Sequence, residues 1–179
     1  MIKRVLIVVA LAVVAVLVFA ATKPDTFSVQ RTIAIKAPPE KIFPLLNDFH
    51  SWGLWSPYEK LDPAMQRTFS DPASGVGAVY QWESNGQGGV GSMEITSATA
   101  PTLLALNLNF IKPFATRNTV EFALQPSGDS TSTSTIVTWT MRGPLPYVAK
   151  IMNVFFNMDS MVGKDFETGL ADLKTVAEK

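Results

Sequence analysis

The sequence predicts an α+β fold in which a curved antiparallel sheet of six or seven strands wraps around a long C-terminal helix, preceded by one N-terminal transmembrane helix. Three observations support this prediction. Apolar and polar residues alternate in short segments between residues 27 and 141, the connections between these segments are short and turn-like, and a helical apolar pattern follows Pro144. Consecutive strands joined by short turns form an antiparallel meander with one dry face, against which the last helix can pack.

The composition limits the kinds of protein and site that this chain can be. Its 179 residues suffice for one domain and an accessory segment, and its 15 basic residues balance its 15 acidic ones. This balance argues against a protein that binds nucleic acid. Because the chain has no cysteine and a single histidine, His50, it excludes disulfides, thiolate metal sites and the common zinc sites. We expect no metal ion and no cofactor.

An uninterrupted apolar run over residues 5–21 follows Lys3 and Arg4. As a helix it measures about 26 Å, close to the minimum that spans a bilayer. One interpretation is a retained membrane anchor over residues 1–22. The other is a cleaved signal peptide, since Val18-Phe19-Ala20 resembles a small-residue cleavage site. The positive charges ahead of the run predict a single-pass membrane protein whose domain, residues 23–179, lies on the extracytoplasmic side, periplasmic in a bacterium.

The domain has a readable order of elements. Residues 27–35 alternate as a half-buried strand, and Ala37-Pro38-Pro39-Glu40 begins a helix, because proline fits the first turn and an acid there favours the helix dipole. An aromatic loop or short second helix follows. Further strands are predicted over 66–70, 76–83, 90–98, 104–110, 119–124 and 135–141. An apolar stripe from Tyr147 to Val176 predicts a C-terminal helix of about 30 residues, with a kink or break at 157–159.

Several separated segments, together covering about residues 27–179, resemble the polyketide cyclase/dehydrase branch of the START-like (SRPBCC) superfamily. They are Ala37–Phe43, Asn47–Phe49, Trp52, Trp55–Tyr58, Asp62-Pro63, Gly75–Ala78, Phe110–Phe114, Val137–Trp139 and Gly163–Phe166. The resemblance implies a helix-grip fold that binds a lipid, steroid, polyketide or other hydrophobic ligand between the sheet and the last helix. A minority of the superfamily are cyclases or hydrolases, and the resemblance transfers no catalytic residue to this chain.

Motifs typical of catalytic sites have plainer interpretations here. Residues 86–91 match G-x-G-x-x-G, but predicted strands flank them on both sides, which indicates a hairpin loop and not a dinucleotide site. No serine lies in a nucleophile elbow and no acid is spaced to partner His50. Asp159, Asp165 and Glu167 share one predicted helix, where acids indicate a solvated face more often than a metal site. We therefore predict no catalytic residue.

The predicted ligand site consists of wide or adaptable apolar side chains on the inward faces of strands and of the facing helix. Its residues are Trp55, Tyr58, Tyr80, Trp82, Met93, Trp139, Met141, Met152, Phe155 and Phe156. Each could equally be part of a close-packed core. A cavity is favoured because a strongly curved sheet cannot contact a straight helix along its full length, and because such side chains typically line apolar pockets.

Two loops place large apolar residues at predicted tips, namely residues 52–55 and 110–114. They either pack onto the helix ends or form a lip through which a lipid-like ligand enters.

Three functions remain open: a carrier or binding module for a hydrophobic small molecule or lipid, held at the membrane through residues 5–21; a cyclase- or dehydratase-like enzyme; and a structural or interaction protein with a vestigial pocket. The enzyme would need a buried acid or histidine aimed into the cavity. The nearest candidates are His50, Glu83 and Glu94, and strand alternation turns both glutamates outward.

Overall fold

The computed structural model describes residues 1–86, 88–127, 133–155 and 157–179. Its helices are α1 (Ile2–Ala21), α2 (Pro39–Asn47), α3 (Tyr147–Phe155) and α4 (Met158–Ala177), with two short 3₁₀ helices at Phe49–Leu54 and Pro57–Lys60. Its strands are β1 (Thr26–Ile35), β2 (Gln66–Phe69), β3 (Val79–Glu83), β4 (Val90–Thr99), β5 (Leu103–Lys112), β6 (Thr116–Ser127) and β7 (Ser134–Pro144).

The seven strands form one antiparallel sheet in the order β1-β7-β6-β5-β4-β3-β2. Strands β2 to β7 follow one another as a meander, and β1 pairs with β7, so that Val29 lies opposite Met141. The predicted alternation is confirmed in β3, where Tyr80 and Trp82 are buried and Gln81 between them is exposed. The α+β architecture and the number of strands agree with the sequence prediction.

Helix α4 closes the concave face of the sheet and lies mainly against β1. The ring of Phe166 stacks on the indole of Trp139, with centroids 3.9 Å apart and planes 7° from parallel. Gly169 permits this approach, since a Cβ there would come within 2.9 Å of both Pro57 and Trp139. Helix and sheet are therefore in direct contact at this point.

The C-terminal helical pattern is divided where the sequence predicted a break. Asn157 begins α4 by accepting a hydrogen bond from the backbone N–H of Ser160 at 3.3 Å. The expected placement of Met152 and Phe155 against the sheet is wrong: their side chains are 55% and 66% exposed, because α3 packs against α1. Phe156, which we had assigned to the same stripe, lies outside the described residues.

Helix α1 is long and apolar enough to cross a membrane. It contacts the domain near its C-terminal end, where Val16 is partly buried and Ala20 fully buried, and residues 2–15 are exposed throughout. A water-exposed surface of this length and composition is unusual for a helix outside a membrane.

Arg31 joins β1 to α4. Its Nε donates to Glu167 Oε1 at 2.7 Å, and its Nη1 donates to Asp159 Oδ1 at 3.0 Å. The hydrogen bond and charge of Arg31 hold the pKa of Asp159 below its ordinary value. Both ion pairs are partly exposed to solvent, so each contributes modestly to the stability of the fold.

Replacing Arg31 with methionine should remove an acid-sensitive part of the stability. A carboxyl whose pKa is lower in the folded state contributes stability above its unfolded pKa, near 3.9, and loses it as the pH falls through the folded value. The difference in Tm between wild type and R31M should therefore shrink below about pH 4. Thermal melts across this range measure it, with Gln30→Met as the control on the outer face; a pH-independent difference would contradict the assignment.

Candidate functional site

An aromatic cluster occupies the centre of the concave face. The centroid of the Trp55 ring lies 5.9 Å from that of Phe122 and 5.6 Å from that of Trp139, and the last two are 5.0 Å apart. Trp52 joins the cluster at 5.0 Å from Trp55. Edge-to-face and tilted contacts at these distances are typical of packed cores. Trp55 and Trp139, both predicted to face a ligand, are thus in contact with other protein rings.

The tryptophans of this cluster are also fixed through their indole N–H groups. Trp52 Nε1 donates to the carbonyl of Leu46 at 2.9 Å, and Trp55 Nε1 donates to that of Leu45 at 3.0 Å. These carbonyls lie in the last turn of α2, where no intrahelical donor is available. Of the two alternatives for residues 52–55, packing onto the helix end is the one observed for both tryptophans, which are buried against the end of α2, while Gly53 and Leu54 are exposed.

The concave face is less tightly closed towards β3, β4 and β5. Trp82, Met93 and Met141 keep 8–9% of their surface exposed although they point inward. The ring of Phe110, which is partly exposed, lies edge-on to Trp82 at 5.8 Å, and Trp82 lies 5.9 Å from Tyr80. Tyr80, Trp82 and Phe110 therefore form a continuous row of rings, and Met93 lies opposite Tyr80 on β4. Met141 lies apart from this row, because it is on β7 and strands β5 and β6 separate it from Met93.

A polar cluster lies at the edge of this surface. Glu59, in the second 3₁₀ helix, accepts from the Tyr80 hydroxyl and from Arg67 Nε, both at 2.6 Å. Burial, and then the hydrogen bond to Glu59, raise the pKa of Tyr80, while Glu59 raises the pKa of Arg67. Sequence reasoning missed Glu59, since no spacing marks it and its partners come from β2 and β3. With both oxygens engaged, this carboxylate is suited to positioning Tyr80.

Two further polar groups face the interior between sheet and helix. Tyr58 lies beside Asp165 of α4, and burial followed by this carboxylate raises the pKa of the phenol above its ordinary value. The indole Nε1 of Trp139 is buried and has no hydrogen-bond acceptor among the described residues. A buried donor without a partner costs about 1–3 kcal/mol.

Two open grooves lie on the sheet, one beside Asp25, just after α1, and the other over β2, β3 and β4. One has a volume of about 700 Å³. Its lining combines the apolar Phe110, Ile111, Pro144 and Leu145 with the polar Asp25, Asn109 and Arg117. A smaller groove of about 240 Å³ lies beside Trp82 and shares Ile111 with the first. Phe110 and Ile111 line the larger groove, and Phe114 is 80% exposed and so is not packed onto a helix end. The role of this loop as an entry lip stays a prediction.

The residues weighed as catalytic candidates do not converge on the interior. Glu83 and Glu94 are exposed, as strand alternation predicted. His50 is also exposed. The expectation that no acid is spaced to partner it is wrong, because its Nδ1 lies 3.2 Å from Asp48 Oδ1 at the end of α2, but this pair lies outside the interior. Strands β3 and β4 flank the glycine-rich loop on both sides, and Gln87 within it lies outside the described residues. Within the described ranges no three potential metal ligands come together.

The sequence from residue 26 to 178 matches the family described as polyketide cyclase / dehydrase and lipid transport. The chain belongs to this family. The match covers nearly everything after α1 and confirms the resemblance seen in the sequence. No curated protein matches the chain.

Solved structures share the family fold at low sequence identity. A protein of Chromobacterium violaceum superposes with a TM-score of 0.58 at 14% identity, covering 87% of this chain and 99% of its own. The Aha1 dimer of Colwellia psychrerythraea superposes with a TM-score of 0.55 at 20% identity, covering 85% of this chain and 96% of its own. Truncated norcoclaurine synthase of Thalictrum flavum superposes with a TM-score of 0.60 at 12% identity, covering 84% of this chain and 92% of its own. These similarities establish the fold alone.

Proposed function

We propose that this chain is a membrane-anchored domain that binds a hydrophobic small molecule or lipid. The family is one of polyketide cyclases, dehydrases and lipid transport proteins, which supports hydrophobic ligand binding. The observation that carries the proposal is the groove of about 700 Å³, which lies beside the residues that connect α1 to the domain. Its volume falls within the range of about 300–1,000 Å³ typical of ligand pockets.

The lining of this groove suits an amphiphilic ligand. Phe110 and Leu145 offer apolar surface, whereas Asp25, Asn109 and Arg117 bring polar and charged groups to the same concavity. A ligand with a long apolar part and one polar end can satisfy both. A fully apolar ligand would leave the polar groups without partners from the ligand.

The ligand's apolar part is proposed to continue from the groove along the less closed concave surface. Phe110 belongs to both regions, since it lines the groove and contacts Trp82. The proposed contacts are Tyr58, Tyr80, Trp82, Met93 and Met141. Methionine side chains adapt to ligands of varied shape. Trp55 and Trp139 are not among the proposed contacts, because both are packed into the aromatic core where α4 meets the sheet and neither lines a groove.

The proposal includes a position at the membrane, with α1 retained as the anchor and the domain on the extracytoplasmic side. Support comes from the exposed apolar surface of α1 and from Lys3 and Arg4 ahead of it. Cytoplasmic flanks of transmembrane helices are enriched in basic residues. The domain itself, with 13 basic and 15 acidic residues outside Lys3 and Arg4, carries no excess positive charge that would attract it to anionic lipid.

Filling the groove should abolish most ligand binding. Ala115 is exposed and lines the groove, so Ala115→Trp adds an indole to its space without entering the core. We expect the amount of lipid that co-purifies with the full chain to fall at least about tenfold, which corresponds to about 1.4 kcal/mol of binding free energy. Native mass spectrometry of the detergent-solubilised protein measures it.

The matched control is Val76→Trp, which places the same side chain at an exposed position before β3. Lipid binding that survives A115W would reject the groove as the site. Wild-type protein that retains no lipid would reject the binding function and favour an interaction protein with a vestigial pocket.

A further inference from the structure

Helix α3 exposes its apolar side chains and buries its charged one, the reverse of an ordinary surface helix. Val148, Met152 and Phe155 are 72%, 55% and 66% exposed, and their spacing of four and three residues places them on one outward face. The charged residue of α3, Lys150, is buried and points the other way. In a helix that faces water, the charged side chain would lie outside and the apolar stripe inside.

The base of α3 is fixed to the end of α1. Lys150 Nζ lies 2.6 Å from the carboxylate of Asp25, and the backbone N–H of Leu145 donates to the Asp25 carbonyl at 2.6 Å. The Tyr147 hydroxyl donates to the carbonyl of Leu17 at 2.8 Å. These contacts place α3 beside the last turns of α1 and leave its apolar stripe facing outward.

The position of the contact along α1 indicates how deeply α3 would lie in a bilayer that α1 spans. Leu17 precedes the last residue of α1, Ala21, by four residues, or about 6 Å along the helix axis. Helices that lie in the membrane interface bury their apolar face by about 5–10 Å. Phe19 is half exposed in the same turns, and Lys23 Nζ sits 4.5 Å from the centre of its ring. A lysine near the end of a transmembrane helix can extend its ammonium group to the interface. Tyr147, which contacts Leu17, is of the residue type enriched at a membrane–water boundary.

We infer that the outward face of α3, formed by Val148, Met152 and Phe155, docks into the headgroup–acyl boundary of the bilayer that α1 spans. The inference rests on the anchor in the proposed function. Lipid is the favoured occupant because α3 contacts α1 and both helices expose apolar side chains, so a bilayer that surrounds α1 also lies within reach of α3. The stripe carries no charge, so its contact is hydrophobic and independent of anionic lipid.

The test uses the full chain, which has no native cysteine. Single substitutions Met152→Cys, Val76→Cys and Val9→Cys each carry an environment-sensitive NBD dye. The labelled proteins are reconstituted in phosphatidylcholine vesicles that contain doxyl lipids quenching at shallow or deep positions. Met152 tests the docked face, Val76 is an exposed control in the domain, and Val9 reports on α1.

We expect the dye at Met152 to be quenched by the shallow doxyl lipid and protected from aqueous iodide. The dye at Val76 should show the opposite behaviour, and the dye at Val9 should be quenched by the deep doxyl lipid. The result at Met152 should not change when phosphatidylglycerol replaces part of the phosphatidylcholine.

The possible failures are distinguishable. Quenching at Val9 together with iodide access at Met152 would overturn the docking of α3 and leave the anchor. Protection from iodide at Met152 without lipid quenching would overturn it in favour of a protein, such as a second copy. Loss of lipid quenching at both positions would reject the docking and the anchor together. Quenching at Met152 alone would reject the anchor and overturn docking to a bilayer that α1 spans.

Discussion

Replacing Trp55 with alanine should lower the free energy of unfolding by about 3–5 kcal/mol. The side chain is fully buried, contacts Phe122 and Trp139, and donates its indole N–H to the carbonyl of Leu45. The substitution would remove these contacts, leave a cavity and orphan a carbonyl at the end of α2. Urea unfolding followed by circular dichroism measures the change.

The neighbouring Leu54 provides the control. Its side chain is 58% exposed, so Leu54→Ala should change the free energy of unfolding by no more than about 0.5 kcal/mol. A W55A variant as stable as L54A would show that Trp55 belongs to a mobile lip and not to the core. That result would favour the lip, the other of the two alternatives for residues 52–55.

Deleting residues 1–22 should convert a membrane-bound protein into one that is recovered largely in the soluble fraction. A transmembrane helix gives effectively irreversible membrane association, whereas an interfacial helix alone gives weak and reversible binding. The domain should remain folded, because Ala20 is the one residue of α1 that is buried. Sedimentation of membranes after expression, with immunoblotting of both fractions, measures the change.

The matched comparison substitutes Leu11 and Val14, which are exposed near the middle of α1, with lysine in the full-length chain. Charges at the bilayer centre oppose insertion while the length of the chain is kept. An intact mass of wild-type protein that lacks residues 1–20 would contradict a retained anchor and support the cleaved signal peptide. Equal recovery of the full-length and deleted forms in the membrane fraction would also contradict a retained anchor.

The fold could be predicted from the sequence because strands and helix ends are marked by residues that are close together in the chain. Alternation in β3, β5 and β7 identifies which face is buried without knowledge of any partner, and Tyr80, Trp82, Trp139 and Met141 are inward as predicted. The break before α4 was visible in Asn157, whose side chain favours a helix start. Such features depend on neighbours in sequence, which a single chain displays.

The site depended on contacts between residues far apart in sequence and was predicted less well. Met152 and Phe155 fit an inward stripe equally well as an outward one, since periodicity defines a face without saying what it meets. The role of α1 as the neighbour of α3 decided the outcome. Glu59 acquires its position only when β2 and β3 bring Arg67 and Tyr80 together. The large groove likewise arises where the ends of separate strands meet.

The connection between α1 and β1 has a consequence for any transport that this protein performs. Residues 22–25 alone separate the two elements, and four residues extend at most about 14 Å. With α1 as the proposed anchor, the domain could not swing far from the bilayer or ferry cargo across an aqueous gap to a second membrane. It would work instead as a stationary transfer point, which exchanges molecules with the leaflet beneath it and hands them to whatever protein arrives there.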